Sequence, residues 1–347
     1  MMKKKFSFPI QITVFFILLL FLILLSASIG SADLSIKDSL LILLSRIPFL
    51  RSYLDISQIS DVYETIVWKV RMPRIFLSVL TGGSLAVVGA CFQGLFRNPL
   101  ADPHILGISS GAALGATFAI LSGIQISFLG LGVIGIFAFI GALITILFVY
   151  QISCTNHQIS ITSLLLTGTA INSMLSALIS LLMSLNRDKI EKVYLWTLGS
   201  FSSATWSKVQ FLFLFSILGI CILCLFSKAL DMISLGEETA QSLGVDTKMV
   251  KKIVIVISSL LVGACVCVSG IIGFVGLIIP HCIRIIRGSS HRFLLPLCAI
   301  AGAIFMLICD TLARTIASPS EIPVGVITSI FGAPYFIFLL KYNKRKG

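Results

Sequence analysis

Long apolar runs recur along this chain, separated by short polar or proline-rich breaks, and three stretches (Phe6 to Ala32, Pro103 to Asn186, Ile253 to Ile283) hold no Asp, Glu, Lys or Arg. About 20 apolar residues in a helix cross a hydrocarbon core of about 30 Å, whereas barrel strands alternate with period two and leave no such unbroken runs. The pattern predicts an all-α integral membrane protein of about ten transmembrane helices, one domain over residues 1–347.

The breaks divide the chain into a first span at 8–30, an external loop at 31–70 and core spans over 71–340. The second span opens at Arg71-Met72-Pro73-Arg74, where proline suits a first helical turn, and ends at Phe96. Two prolines then break the loop Arg97 to Pro103. Weak polar breaks at Ser122 to Ser127 and at Gln151 to Ser160, with Asn156 and His157, separate a third, Gly/Ala-rich span from a fourth and a fifth. A second external loop, Asn186 to Lys208, carries Trp196 and Trp206. The sixth span ends at Phe226, and the seventh ends near Ser269. An eighth, shorter run reaches Ile283, and the ninth (from Phe293) and tenth (from Ile322) close the chain before a basic tail.

One polar island, Asp231 to Lys252, is too short to cross. Ser234 and Glu237 have the spacing of a capping box, Gly244 supplies a left-handed stop, and Leu235, Thr239, Ala240 and Leu243 share a face between them. The island, with short helices at about 231–250, is expected to lie on the membrane surface.

Composition agrees: 57% hydrophobic residues, 12% charged and a mean hydropathy of +1.06 leave too little polar surface for a soluble globule. The net charge of +12 does not point to nucleic acid, because the basic residues sit at the ends of apolar runs. Lys and Arg collect in the short loops on the side of the N terminus, so both termini and the island are expected in the cytoplasm. The first run, behind Lys3 to Lys5, has the start of a signal peptide and a small-residue tail, but its apolar part is long enough for a span. The nine cysteines lie in or beside apolar segments, where a thiol is a small hydrophobe.

Several blocks of residues carry a resemblance. Arg71-Met72-Pro73-Arg74, Gly89-Ala90, Gln93, Asn98-Pro99-Leu100-Ala101-Asp102-Pro103, Leu235-Gly236-Glu237 with Ala240 and Leu243-Gly244, Gly270 to His281 with Arg284, His291-Arg292, Asp310 with Arg314, and Glu321 to Gly325 occur in the order seen in permease subunits of iron-siderophore, haem and cobalamin ABC importers. The chain resembles that family from about Ile56 to its end. The resemblance implies a subunit of the bacterial cytoplasmic membrane that moves an iron chelate or cobalamin inward by alternating access. It implies a second permease copy, in a homodimer or a heterodimer, within membrane lipid.

It implies further partners: ABC ATPase subunits gripping Leu235, Gly236, Glu237, Ala240, Leu243 and Gly244, and an extracytoplasmic binding protein meeting Arg71, Arg74 and Arg314. Ser160, Ile161, Thr162 and Ser163 match the cytoplasmic gate region. Asn98, Pro99, Asp102, Pro103, Gly273, Pro280 and His281 belong to structural motifs; a lone imidazole makes no metal site. Since the chain has no G-x-x-x-x-G-K-[ST], ATP and Mg are expected on the partner ATPase, with no cofactor and no catalytic residue on this chain. The rival reading, an ion-coupled secondary transporter of a small organic solute, needs ionisable groups at mid-membrane, and only Asp310 comes near.

Overall fold

The computed structural model describes residues 7–30, 34–46, 49, 60–124, 127–128, 130–155 and 158–344. Lys3 to Lys5, part of the first external loop, Asn156 and His157 lie outside them. The helices are α1 (Phe8–Ser28), α2 (Ile36–Ser45), α3 (Asp61–Leu95), α4 (Ile108–Ser122), α5 (Val133–Ser153), α6 (Ile161–Leu185) and α7 (Ile190–Thr197), then α8 (Trp206–Leu225), α9 (Ser227–Leu235), α10 (Glu237–Ser242), α11 (Thr247–Ser269), α12 (Val275–Arg287), α13 (His291–Thr315) and α14 (Val324–Lys344). Two-residue antiparallel strand pairs, 127–128 with 131–132 and 154–155 with 158–159, form the turns on either side of α5.

Seven of these helices, α1, α3, α5, α6, α8, α11 and α13, are long and apolar enough to cross a membrane. With the shorter apolar α4, α12 and α14 they account for the ten expected runs. At 13 residues α12 rises about 20 Å, short of a full crossing. The chain reaches it through an unwound stretch, 270–274, in which Phe274 takes a positive φ of 70°. The His104 ring bonds the Ile272 carbonyl there at 2.8 Å, and Gln93 Nε2 donates to the Gly276 carbonyl at 3.1 Å, so the broken segment is held from two sides.

The core is built on α3, buried along nearly its whole length from Arg71 to Leu95. It packs backbone to backbone on α13, because a Cβ on Gly82 or Gly302 would overlap the other's carbonyl oxygen. Gly111 and Gly141 bring α4 and α5 together in the same way, as the small-residue pattern of the third span predicts. Lipid supplies no hydrophobic drive between helices, so such close van der Waals packing is what holds them.

Two expectations need correction. The second span does not begin at Arg71: its helix starts at Asp61, capped by Ser60, and passes through a π-helical stretch, Ile66–Arg71. Nor do Ser234 and Glu237 form a capping box. Helix α9 runs on through Ser234, whose hydroxyl donates back to Leu230 at 2.8 Å, and the break falls at Gly236 with φ 140°.

Candidate translocation face and the two ends of the bundle

At the end of the bundle where α1 finishes, Arg71, Arg74 and Arg314 converge, and all three are buried. Arg71 Nη1 donates to the carbonyls of Ala27 (2.7 Å) and Ser28 (2.8 Å), and Arg314 Nη2 donates to the Ser26 carbonyl and, at 2.6 Å, to its hydroxyl. These are last-turn carbonyls of α1, which lack partners within the helix and sit at its negative dipole end. Arg74 clamps Asp310 through Nε and Nη2 at 2.9 to 3.0 Å, and its Nη1 donates to Glu321 at 2.8 Å. Asp310 is fully buried and pairs with Arg74 across the α3–α13 contact, rather than with Arg314 on its own helix. Glu321, with its side chain 42% exposed, is the member of this network that faces outward.

The opposite end gathers the start of α1, the end of α12 and the start of α13, where Phe8 and Phe293 meet edge to face at 4.8 Å beneath Arg287. The island lies at this same end, because Asp231 of α9 bonds His291, the first residue of α13. Helix α10 closes in a Schellman motif: Gly244 takes φ 85°, its N–H donates to Gln241 and that of Val245 to Ala240. Ala240 is buried under the helix, whereas Leu235 and Leu243 are 75% and 58% exposed, a pair of bare leucines flanking the turn. Glu237 does not point with them; its carboxylate accepts from Lys251 Nζ at 2.6 Å and fixes α10 to α11. The Asp231 carboxyl is held below its ordinary value: burial opposes ionisation, but hydrogen bonds from the His291 ring and N–H and from Ser290 outweigh it.

The loop between α3 and α4 is braced as its sequence suggests. Asn98 Oδ1 accepts from Leu100 N at 2.9 Å and Asp102 Oδ1 from His104 N at 2.8 Å, so side-chain oxygens satisfy backbone N–H groups in a loop where Pro99 and Pro103 prevent a regular helix. Pro103 packs on Gly276. Gly273 has open space where a Cβ would stand. Pro280 lies inside α12, and the His281 ring meets the Tyr335 ring edge-on at 6.2 Å. Ser160 caps α6 by accepting from Ser163 N, and Ile161, Thr162 and Ser163 form the first turn, with Thr162 exposed.

Helix α6 presents the least ordinary surface. Thr162, Thr169, Ser173, Ser176, Ser180 and Ser184 are all exposed, and at 100° per residue they fall within an arc of about 80° running the length of a helix long enough to span. Asn172 lies at the edge of the stripe and accepts from Ser110 of α4. Thr169, Ser173 and Ser180 each donate back to a carbonyl one turn earlier, which leaves their oxygen lone pairs open. A cavity of about 890 Å³ between α5, α7, α8, α11 and Glu321 includes none of these residues, so the polar stripe faces outside the single chain.

The family model of the FecCD transport family matches residues 18–342. The chain belongs to that family. The hemin transport system permease HmuU of Yersinia pestis is 42% identical over 278 residues, 79% of this chain and 83% of HmuU. The cobalamin import permease BtuC of Halobacterium salinarum is 39% identical over 82% of this chain and 75% of its own. A solved structure of an inward-facing ABC transporter of metal-chelate type aligns with a TM-score of 0.82 and 33% identity, covering 96% of this chain and 99% of that one.

This FecCD permease therefore bears out the resemblance carried by the arginine, proline and glycine blocks. It is a multi-pass membrane transport protein. The α6 stripe is the feature that sequence reasoning passed over. Its signal lay in the fifth span as a 7, 4, 3, 4, 4 spacing of hydroxyl residues, which an inspection for charges and breaks does not detect.

Proposed function

We infer that this FecCD permease is the transmembrane subunit of an ATP-driven importer for a bulky metal chelate or corrinoid, the class that includes ferric siderophores, haem and cobalamin. The observation that carries the reading is the exposed hydroxyl stripe of α6. A spanning helix with one polar face satisfies that face against water or another protein rather than against lipid. Two copies meeting along their α6 helices would enclose the stripe and give a pathway wide enough for such cargo, as a homodimer, or as a heterodimer with a related chain. Ser160 to Ser163, at the end of the stripe, would then border the cytoplasmic gate.

The exposed Leu235 and Leu243, with Gly236 and Gly244 setting the turns and Glu237 and Ala240 fastening them, offer a rigid knob for a separate ATPase subunit, on which ATP and Mg are held. At the other end, an acidic side chain of an extracytoplasmic binding protein would replace Glu321 on Arg74, with Arg71 and Arg314 fixing the frame. The basic loops on the N-terminal side support a cytoplasmic position for both termini and the island, with the complex held in the cytoplasmic membrane. Ion coupling has no comparable support, because Asp310, the acid nearest mid-membrane, is locked to Arg74.

The test is reconstitution with neighbouring ATPase and binding protein, comparing wild type with Ser173→Trp and Ser180→Trp. Uptake of haemin, cobalamin or ferric citrate should fall at least tenfold in the tryptophan variants while stimulated ATP hydrolysis persists. Wild-type uptake in both, or proton-driven uptake by the chain alone, would remove the reading.

A further inference from the structure

We propose that the Asp231–His291 pair is a positioning joint that passes displacement of the α9–α10 island to the α3–α13 helix pair. The proposal rests on the permease reading above. Asp231 stands in the middle of α9, which Leu230 and Ile233 bury against the bundle. Its Oδ1 accepts from both the backbone N–H of His291 (2.7 Å) and the ring Nδ1 (2.6 Å), and its Oδ2 accepts from Ser290 Oγ at 3.0 Å. Ser290, the N-cap residue of α13, makes no side-chain cap of its own. The cap is supplied instead by a carboxylate from another helix, at the end where orphan N–H groups and the helix dipole favour an anion.

The ring completes the joint on the other side. His291 is buried, and its Nε2 has no hydrogen-bond partner among the described residues. That edge of the ring lies so close to Gly94, in the last turn of α3, that a Cβ there would overlap Nε2. His291 is thus wedged between the island and the end of α3. A buried ring with an unpartnered nitrogen is an expensive way to fill space; an apolar side chain would fill it without that cost. What imidazole adds is a donor aimed at Asp231.

The body that receives the push is stiff. Gly82 and Gly302 bring α3 and α13 into backbone contact, and Arg74 and Asp310 fasten them again at the far end. A shift of α9 relative to α13 therefore cannot be absorbed at the joint and moves the pair together. Separately, Glu237–Lys251 and Gln241–Thr247 tie α10 to α11.

The experiment uses the full complex in liposomes with wild type, Asp231→Ala, Asp231→Asn and His291→Ala, reading subunit assembly, thermal stability, basal ATP hydrolysis and its stimulation by loaded binding protein. Asp231→Ala and His291→Ala should assemble and hydrolyse ATP at the basal rate, yet lose at least tenfold of the stimulation and of uptake. Asp231→Asn keeps an acceptor for the His291 N–H and should recover part of the loss. The double alanine variant should be no worse than either single one. Stimulation equal to wild type in Asp231→Ala, or losses that merely follow stability and multiply in the double variant, would overturn the joint alone. No ATP-driven uptake by the wild-type complex would overturn the permease reading and the joint with it.

Discussion

Replacing Asp310 by alanine tests whether the buried Arg74–Asp310 ion pair holds the central helices together. The carboxylate is fully buried and receives three N–H···O contacts from Arg74, at 2.9, 3.0 and 3.0 Å, while the Arg74 side chain is 9% exposed. Unit charges about 4 Å apart attract by about 4 kcal/mol at an effective dielectric of about 20, and removing one partner of such a pair typically costs about 3–5 kcal/mol, since the other charge stays buried. Arg74 keeps Glu321 as a second acceptor, which puts Asp310→Ala near the lower figure. Glu321 is 42% exposed, and its loss should cost less than about 1 kcal/mol.

The assay is unfolding in mixed micelles, followed by tryptophan emission, because Trp206 packs against Trp68 and Phe76 of α3, the helix that carries Arg74. Arg74→Ala, Asp310→Ala and the double variant close a thermodynamic cycle, in which a coupling of about 2–3 kcal/mol is expected. Arg74→Lys keeps the charge but not the two-pronged geometry and should fall between wild type and Arg74→Ala. A coupling below about 0.5 kcal/mol, or a larger loss from Glu321→Ala than from Asp310→Ala, would show that the pair does not brace α3 on α13.

Gly302→Val should destabilise by about 1–3 kcal/mol or more, because its Cβ overlaps the Gly82 carbonyl, whereas Gly273→Ala, with open space around it, should lie within about 0.5 kcal/mol of wild type; unfolding midpoints of the two variants decide. The Asp231 carboxyl is depressed in the folded protein, so its contribution is complete above the ordinary value of 3.8 and is lost as pH falls through the lower folded value. The measured stability advantage of wild type over Asp231→Asn should therefore shrink in acid, as the carboxyl takes up its proton below about pH 4.

The spans were legible because charge is too costly inside lipid to be scattered, so uncharged runs and their breaks mark the helices directly. The braces at Asn98 and Asp102 were legible for a local reason: an Asx side chain bonds the backbone two residues on, within the range that sequence shows. What the sequence leaves hidden depends on distant partners. The acceptors of Arg71 and Arg314 lie 43 to 288 residues away in α1, and those of Arg74 lie 236 and 247 residues away, so nothing near the arginines says that they are buried. The Ser234 to Glu237 box failed because the local pattern is indifferent to whether the preceding turn is already helical. Here Leu230 and Ile233 are drawn into the core, and α9 carries through Ser234 to the glycine.

The distribution of polar groups also bears on where selectivity resides. The strong ones, three guanidiniums with Asp310 and Glu321 at one end and Asp231, His291, Glu237 and Lys251 at the other, are engaged in fixing helices to each other. The polar groups of the exposed α6 stripe are short hydroxyls, half of them already donating to their own helix, with Leu166 exposed among them. A transport path must bind weakly enough to release what enters it. Uncharged hydroxyls meet that need for a bulky cargo, and without charge they hold one chelate little more strongly than another. On this reading discrimination lies with the binding protein that delivers the cargo. Exchanging residues of the α6 stripe among Ser, Thr and Ala should then alter the rate of uptake without changing which chelate is taken up.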